Sequence, residues 1–276
     1  MSVTISQIRE MKRKGEKITM LTAYDYVTAK IIDEAGVPLI LVGDSLGMVV
    51  LGYNSTIPVT LEVMLHHTKA VVRGVKNALV VGDMPFMTYT INMEEALRNA
   101  ARFLQETGCQ AVKLEGGVSV ADRVKRIVEC GIPVMGHIGL TPQSIHQFGG
   151  HKIQGKTPEA AKRLLEDAVA LDQAGAFAVV LETVPAPLAA LITKKISIPT
   201  IGIGAGAGCD GQVQVINDLL GSYTDFVPKH AKQYARIAGI MADAISAYDK
   251  EVKAGEFPTE AQSFSMDESI IKELDT

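Results

Sequence analysis

The run Leu79-Val80-Val81-Gly82-Asp83-Met84-Pro85 decides how this chain reads: a short, unbroken apolar segment that ends in a carboxylate and a turn. The same order returns in Leu39-Ile40-Leu41-Val42-Gly43-Asp44-Ser45, in Ala111-Val112-Lys113-Leu114-Glu115-Gly116-Gly117 and in Ala178-Val179-Val180-Leu181-Glu182-Thr183. A β-strand covered on both faces shows continuous Val, Leu and Ile without alternation, and it tolerates a charged side chain only where it leaves the core. Acids therefore collect at the C-terminal ends of strands, and the chemistry is expected there.

Working outward, residues 4–14 read as an extra amphipathic helix, with Ile5, Ile8 and Met11 at three-residue spacing and Gly15 closing it. It precedes the repeating pattern and is expected to cap the bottom of the fold. Strands are read at 18–25, 39–44, 78–83, 111–115, 133–139, 176–182 and 199–204, with helices at 27–35, 60–74, 93–107, 119–130, 158–174 and 186–195. An eighth strand is placed at Asp225-Phe226-Val227-Pro228, followed by a helix from 231 to about 254. This α/β alternation, with no linker composition, predicts one (β/α)8 TIM barrel over residues 1–264, and residues 265–276 read as a flexible tail. A doubly wound sheet remains the alternative, because alternation does not fix closure. Two connections, 46–60 and 140–157, are too long for ordinary turns and read as lids or binding loops; the second carries Phe148-Gly149-Gly150-His151.

Composition narrows the function classes. The 276 residues are 47% hydrophobic, which suffices for a large core. A net charge of -4 with dispersed basic residues lacks the basic stripe of a nucleic-acid binder and points to small-molecule chemistry. No window approaches the ~20 apolar residues of a membrane span, and the N-terminus lacks the order of a signal peptide, so a cytoplasmic protein is expected. Cys109, Cys130 and Cys209 are odd in number and far apart, and read as reduced thiols, with Cys109 and Cys130 in packing roles.

In a (β/α)8 barrel every strand opens its C-terminal end on one face, so Asp44, Asp83, Glu115, His137 and Glu182 converge. Carboxylates crowded into a partly buried pocket need a compensating cation, and oxygen ligands suit a hard ion such as Mg²⁺. Asp44 or Asp83 alone also fits a turn or cap residue. Lys113 lies two residues before Glu115 and so points the same way, inward if Glu115 does. It is either a counter-charge for a substrate anion or half of a structural ion pair. Glu182 follows Val179-Val180-Leu181 and, partly desolvated, suits a general base, although a structural acid is equally consistent. His137 fits a wall residue or an acid. His66-His67 reads as a helix face, since adjacent residues diverge around a helix. Gly206-Ala207-Gly208-Cys209-Asp210-Gly211 spells G-x-G-x-x-G, but in the seventh unit, where a flexible loop at the barrel mouth or backbone contact with substrate fits better than a dinucleotide site.

Taken together, Met20-Leu21-Thr22-Ala23-Tyr24-Asp25-Tyr26, Leu41-Val42-Gly43-Asp44-Ser45-Leu46-Gly47-Met48, Gly82-Asp83-Met84-Pro85-Phe86-Met87, Val112-Lys113-Leu114-Glu115-Gly116-Gly117, Gly136-His137-Ile138-Gly139-Leu140-Thr141-Pro142-Gln143-Ser144 and Ile201-Gly202-Ile203-Gly204-Ala205-Gly206 closely resemble the ketopantoate hydroxymethyltransferase family, from about residue 5 to residue 264. The resemblance implies a Mg²⁺-dependent barrel of the phosphoenolpyruvate/pyruvate-like superfamily, a homodecamer in bacterial members. It further implies transfer of a hydroxymethyl group from 5,10-methylenetetrahydrofolate to 3-methyl-2-oxobutanoate, giving 2-dehydropantoate for pantothenate and coenzyme A. Carried over by position, Asp44, Asp83 and Glu115 are the metal ligands, Asp44, Ser45, Asp83 and Lys113 contact the 2-oxo acid, and Glu182 accepts the proton. Cys209 receives no role. A lyase or mutase of the same superfamily acting on another 2-oxo acid is the alternative.

Overall fold

The computed structural model describes residues 2–150 and 152–274. Eight parallel strands close into a barrel in the order β1-β2-β3-β4-β5-β6-β7-β8, so closure, the point that sequence left open, is settled. They are β1 Ile18–Thr22, β2 Leu39–Val42, β3 Leu79–Asp83, β4 Ala111–Glu115, β5 Val134–Gly139, β6 Ala178–Glu182, β7 Thr200–Ile203 and β8 Gly211–Gln214. The main helices are α1 Ile5–Lys14, α2 Tyr26–Glu34, α3 Leu61–Gly74, α4 Met93–Arg102, α5 Ala121–Glu129, α6 Pro158–Gln173, α7 Ala186–Lys195, α8 Ile216–Leu220 and α9 Ile237–Ala254.

Side-chain parity divides the core in two. Residues of one parity, among them Ile18, Met20, Leu39, Leu41, Leu79, Val81, Ala111, Met135, Ala178, Val180 and Ile201, fill the barrel interior. Those of the other parity, such as Ile40, Val80, Val112, Leu114, Val134, Val179 and Leu181, pack outward against the helices. Helix starts follow from local caps: Asp25, Thr60, Asn92 and Thr157 each accept from a backbone N–H in the first turn of α2, α3, α4 and α6. The N-terminal helix α1 places Ile8 among the interior side chains and closes the barrel bottom, as expected.

Several sequence expectations need correction. The eighth strand is Gly211–Gln214, not 225–228. Between β7 and β8 there is no helix; the glycine run descends along α7, and a Cβ on Gly206 or Gly208 would stand 2.4 Å from Ala186 Cβ or 2.7 Å from Ala190 Cβ. Gly206 and Gly208 allow this close packing as the run leaves the mouth at the end of β7 and descends to β8. A Cβ on Gly211 would lie 2.3 Å from the Ile18 carbonyl oxygen, so the β1–β8 seam needs glycine there. The helix read at 93–107 changes at Phe103 into a π-turn, Phe103–Thr107, and the helix read from 231 to about 254 begins at Ile237. Cys130 is exposed, whereas Cys109 and Cys209 are buried; all three are free thiols. The long loops carry short helices, Leu46–Val49 and Ile145–Phe148, while His151 lies outside the described residues. Within 265–276, Glu268–Leu274 forms an exposed helix and residues 275 and 276 lie outside the described part. Among the described residues no helix is long and apolar enough to cross a membrane.

Candidate active site

Because Asp83, Lys113, Glu115, His137 and Glu182 share the parity of the interior side chains, they form the top layer of the barrel above Val81, Ala111, Met135 and Val180. Register sets their neighbours: Asp83 lies opposite Lys113, Glu115 opposite His137, and Gly139 opposite Glu182. Asp44 reaches the same layer from the end of β2, where its backbone N–H donates to Asp83 Oδ2 at 3.2 Å. Thus Asp44, Asp83, Lys113, Glu115 and Glu182, read from sequence as site residues, meet at one rim. Ser45 stands beside them, its Oγ 2.9 Å from the Tyr24 hydroxyl.

The cations are spread thinly over this layer. Lys113 Nζ lies 2.7 Å from Asp83 Oδ1 and 3.4 Å from His137 Nδ1. The histidine in turn bridges two acids, with Nδ1 3.4 Å from Glu115 Oε1 and Nε2 3.2 Å from Glu182 Oε2. Burial disfavours the Lys113 ammonium, but Asp83, Glu115 and Asp44 outweigh it and hold the group above its ordinary range. Burial and Lys113 likewise oppose charge on His137, yet Glu115 and Glu182 win and its imidazole is pushed up to about 9. Asp44 is driven well above the usual carboxylate range, first by burial and then by Asp83 and Glu115, against the opposing pull of Lys113 and Gln143.

One lysine and one histidine face Asp44, Asp83, Glu115 and Glu182, so negative charge is in excess. Asp83 Oδ1 and Glu115 Oε1 are buried and lack an aligned hydrogen bond; their ionic contacts to Lys113 and His137 do not meet hydrogen-bond geometry. Among the described residues no three His, Cys, Asp or Glu side chains stand in an arrangement that could hold a metal ion as they are placed. The donor chemistry nonetheless fits a hard divalent cation: carboxylate oxygens, surplus negative charge and a buried oxygen left over on Glu115.

Backbone strain marks the same rim. Thr183, directly after Glu182, has φ 52°, and Met87, in the loop after Asp83, has φ 67°. A β-branched residue in the left-handed region is costly, and such strain concentrates at functional sites. Thr183 is held there by its N–H on Ile203 O at 2.8 Å and by Gln154 N–H on its own carbonyl at 3.1 Å. To one side, the two long loops enclose a half-open cavity of about 340 Å³, lined by Met48, Thr56, Pro142, Ile145 and His146 among others.

A family model described as ketopantoate hydroxymethyltransferase matches residues 2–260. The chain belongs to the ketopantoate hydroxymethyltransferase family. Among its relatives, the 3-methyl-2-oxobutanoate hydroxymethyltransferase of Dehalococcoides mccartyi is 67% identical, over 99% of this chain and 97% of that protein. The enzyme of the same name from Syntrophus aciditrophicus is 62% identical, over 95% and 96% of the two chains. The solved structure of phosphonopyruvate hydrolase with oxalate and Mg²⁺ matches with TM-score 0.62 at 12% identity, over all of this chain and 96% of that one. A 2,3-dimethylmalate lyase of the PEP mutase/isocitrate lyase superfamily matches with TM-score 0.58 at 14% identity, covering 100% and 99%. At such low identities these last two establish the fold alone.

In this hydroxymethyltransferase barrel, three polar residues with no role read from sequence also reach the rim. Gln143 hydrogen-bonds Asp44, Tyr89 bonds Gln143, and Tyr24 bonds Ser45. Tyr24 and Gln143 lie inside the family motifs, whereas Tyr89, in the connection after β3, carried no signal in the sequence. His67 docks its Nδ1 on the Tyr24 carbonyl at 2.6 Å, in keeping with a structural reading.

Proposed function

We propose that this chain transfers a hydroxymethyl group from 5,10-methylenetetrahydrofolate to 3-methyl-2-oxobutanoate, forming 2-dehydropantoate, with Mg²⁺ held by Asp44, Asp83 and Glu115. The observation that carries the reading is the excess of buried carboxylates over cations at the rim of a barrel from this family. When bound, Mg²⁺ supplies Lewis acidity toward the carboxylate and keto oxygens of a 2-oxo acid, which acidifies the adjacent C3–H.

The chain's own residues supply the rest. Ser45 and the backbone beside Asp44 orient the oxo acid, while Lys113, charged and buried, stabilises negative charge as it develops on the keto oxygen. Glu182, at the strand end with a partly exposed carboxylate, takes the C3 proton. Its neighbour His137 keeps that carboxylate aimed across the mouth, and the Thr183 turn fixes the strand end from which it projects. The carbon freed of its proton attacks the methylene carbon of the folate as one C–N bond opens; water replaces the second nitrogen and provides the hydroxyl oxygen, and tetrahydrofolate leaves with both nitrogens protonated. The cavity between the long loops supports a second substrate, since its volume suits part of a pterin-bearing donor.

A homo-oligomer, a homodecamer by family resemblance, belongs to the same reading. Its support is α9, which buries no residue and exposes Ile240, Met241, Ile245 and Tyr248. Cytoplasmic placement is supported by three free cysteines. The deciding experiment follows the C3 proton of 3-methyl-2-oxobutanoate by NMR in deuterated water, with and without Mg²⁺, and then adds methylenetetrahydrofolate. Metal-dependent exchange followed by product formation is expected; absence of exchange from the loaded enzyme overturns the reading.

A further inference from the structure

The hydrogen bonds of the rim converge on Gln143. This residue sits in the 3-10 turn Pro142–Ser144 after β5 and is 4% exposed. Its Nε2 donates to Asp44 Oδ2 at 2.9 Å and to the Met84 carbonyl at 3.0 Å. Its Oε1 accepts from the Tyr89 hydroxyl at 2.7 Å, and its backbone N–H donates to Glu115 Oε2 at 3.1 Å. The Tyr89 oxygen in turn accepts from the Glu115 N–H at 3.2 Å.

The direction of every bond in this chain is forced. A backbone carbonyl only accepts, so the amide nitrogen must face Met84 and Asp44, which leaves the amide oxygen for Tyr89. Tyr89 then has to donate to Gln143, and its lone pair is free for Glu115. One residue of the β5 loop thereby ties one carboxylate oxygen of Asp44, at the end of β2, and one of Glu115, at the end of β4. What remains is Asp44 Oδ1 and the buried, unbonded Glu115 Oε1.

We propose that Gln143, backed by Tyr89, is a positioning residue that fixes the separation and facing of Asp44 and Glu115 and so sets the affinity of the rim for a divalent cation. The inference rests on the metal reading given above. Partners that orient metal ligands without touching the metal change affinity by about 10- to 100-fold when removed. Gln143→Met keeps the volume and deletes the amide; Tyr89→Phe deletes one hydroxyl.

The test is calorimetric titration of Mg²⁺ into the metal-free protein, wild type and both variants, alongside thermal unfolding of the metal-free forms. Expected is a Kd about 10- to 100-fold weaker for Gln143→Met, a smaller loss for Tyr89→Phe, and little further loss in the double variant. At saturating Mg²⁺ kcat should largely recover while the Mg²⁺ concentration for half activity stays raised. A role in folding alone would lower the unfolding temperature and leave Kd unchanged. If wild type binds Mg²⁺ and Gln143→Met binds it within twofold, the positioning inference is overturned and the metal reading stands. If wild type takes up no Mg²⁺, the metal reading itself fails. Should Gln143→Met not fold, Tyr89→Phe decides alone: a several-fold weaker Kd supports the inference, and an unchanged one overturns it.

Discussion

Acids occupy both ends of this barrel, and the two ends treat them differently. At the bottom, Asp33 accepts from the N–H groups of Lys76, Asn77 and Ala78 and from Asn77 Nδ2, at 2.7 to 3.1 Å. Burial alone would raise its carboxyl, but those donors outweigh it and hold it below the usual range. Asp210, also at the bottom, receives Lys12 Nζ at 2.9 Å and the Thr200 N–H at 2.9 Å. At the top, Asp44 is pushed the other way by burial and by two neighbouring carboxylates, and Glu115 keeps a buried oxygen without a hydrogen bond. Asp218, in α8 after β8, is pushed up to about 6 by burial. Among the described residues, both non-glycine residues with positive φ, Met87 and Thr183, lie at the top. The bottom satisfies its charges and supports stability; the top leaves them in want of a ligand, and that want is the functional signal.

The largest effect should come from Glu182→Gln. If Glu182 is the base, C3 proton exchange falls by about 10²- to 10⁴-fold, while Mg²⁺ binding stays near wild type. Exchange at the normal rate would return Glu182 to the structural class of Asp33. Next comes Asp83→Ala, which removes a metal ligand and also strands Lys113, whose Nζ lies 2.7 Å from Asp83 Oδ1. Loss of Mg²⁺ uptake by calorimetry is expected, together with about 3–5 kcal/mol of stability for breaking a buried pair. An unchanged Mg²⁺ isotherm would make Asp83 a purely structural acid.

How much of this contrast was legible in the sequence depends on the range of the forces involved. The apolar runs of β2, β3, β4 and β6 declare themselves because covering both strand faces leaves no polar alternation. Their terminal acids follow, since parity alone stacks Asp83, Lys113, Glu115, His137 and Glu182 over the interior layers. β8 was not legible: Gly211-Gln212-Val213-Gln214 has one inward apolar residue, and only pairing with β1 and β7 makes it a strand. The apolar Phe226-Val227 pair drew the reading there, yet both side chains are exposed. Gln143 and Tyr89 were hidden for a related reason: their partners lie 28 to 99 residues away for Gln143 and 26 to 54 away for Tyr89, and no local spacing encodes such bonds. Whether Lys113 pairs with an acid or waits for substrate could not be separated by pattern; it is bound to Asp83 while still lining the rim.

The smallest effects give the most direct test of the two ends, because their signs are opposite. Asp33 has a folded pKa below its ordinary 3.8, so its contribution is complete above about 4 and is lost as pH falls through the lower folded value. Asp33→Asn should therefore cost about 1.5–3 kcal/mol at neutral pH, in keeping with hydrogen bonds to a charged group, and the deficit should shrink in strong acid. Asp218 has a folded pKa raised from 3.8 to about 6, so ionising it in the folded state carries a penalty that is complete above about 6 and absent below about 4. Asp218→Asn should stabilise the protein at pH 7 by about 1 kcal/mol, because water reaching part of the carboxyl weakens the penalty. That gain should vanish between pH 6 and 4. Unfolding temperatures of the two variants and wild type, taken from pH 3 to 8, read both signs in one experiment. A destabilised Asp218→Asn at pH 7 would mean that this top-side carboxylate is satisfied like those at the bottom, and the division between the two ends would then exclude α8 and hold only for the acids of the rim.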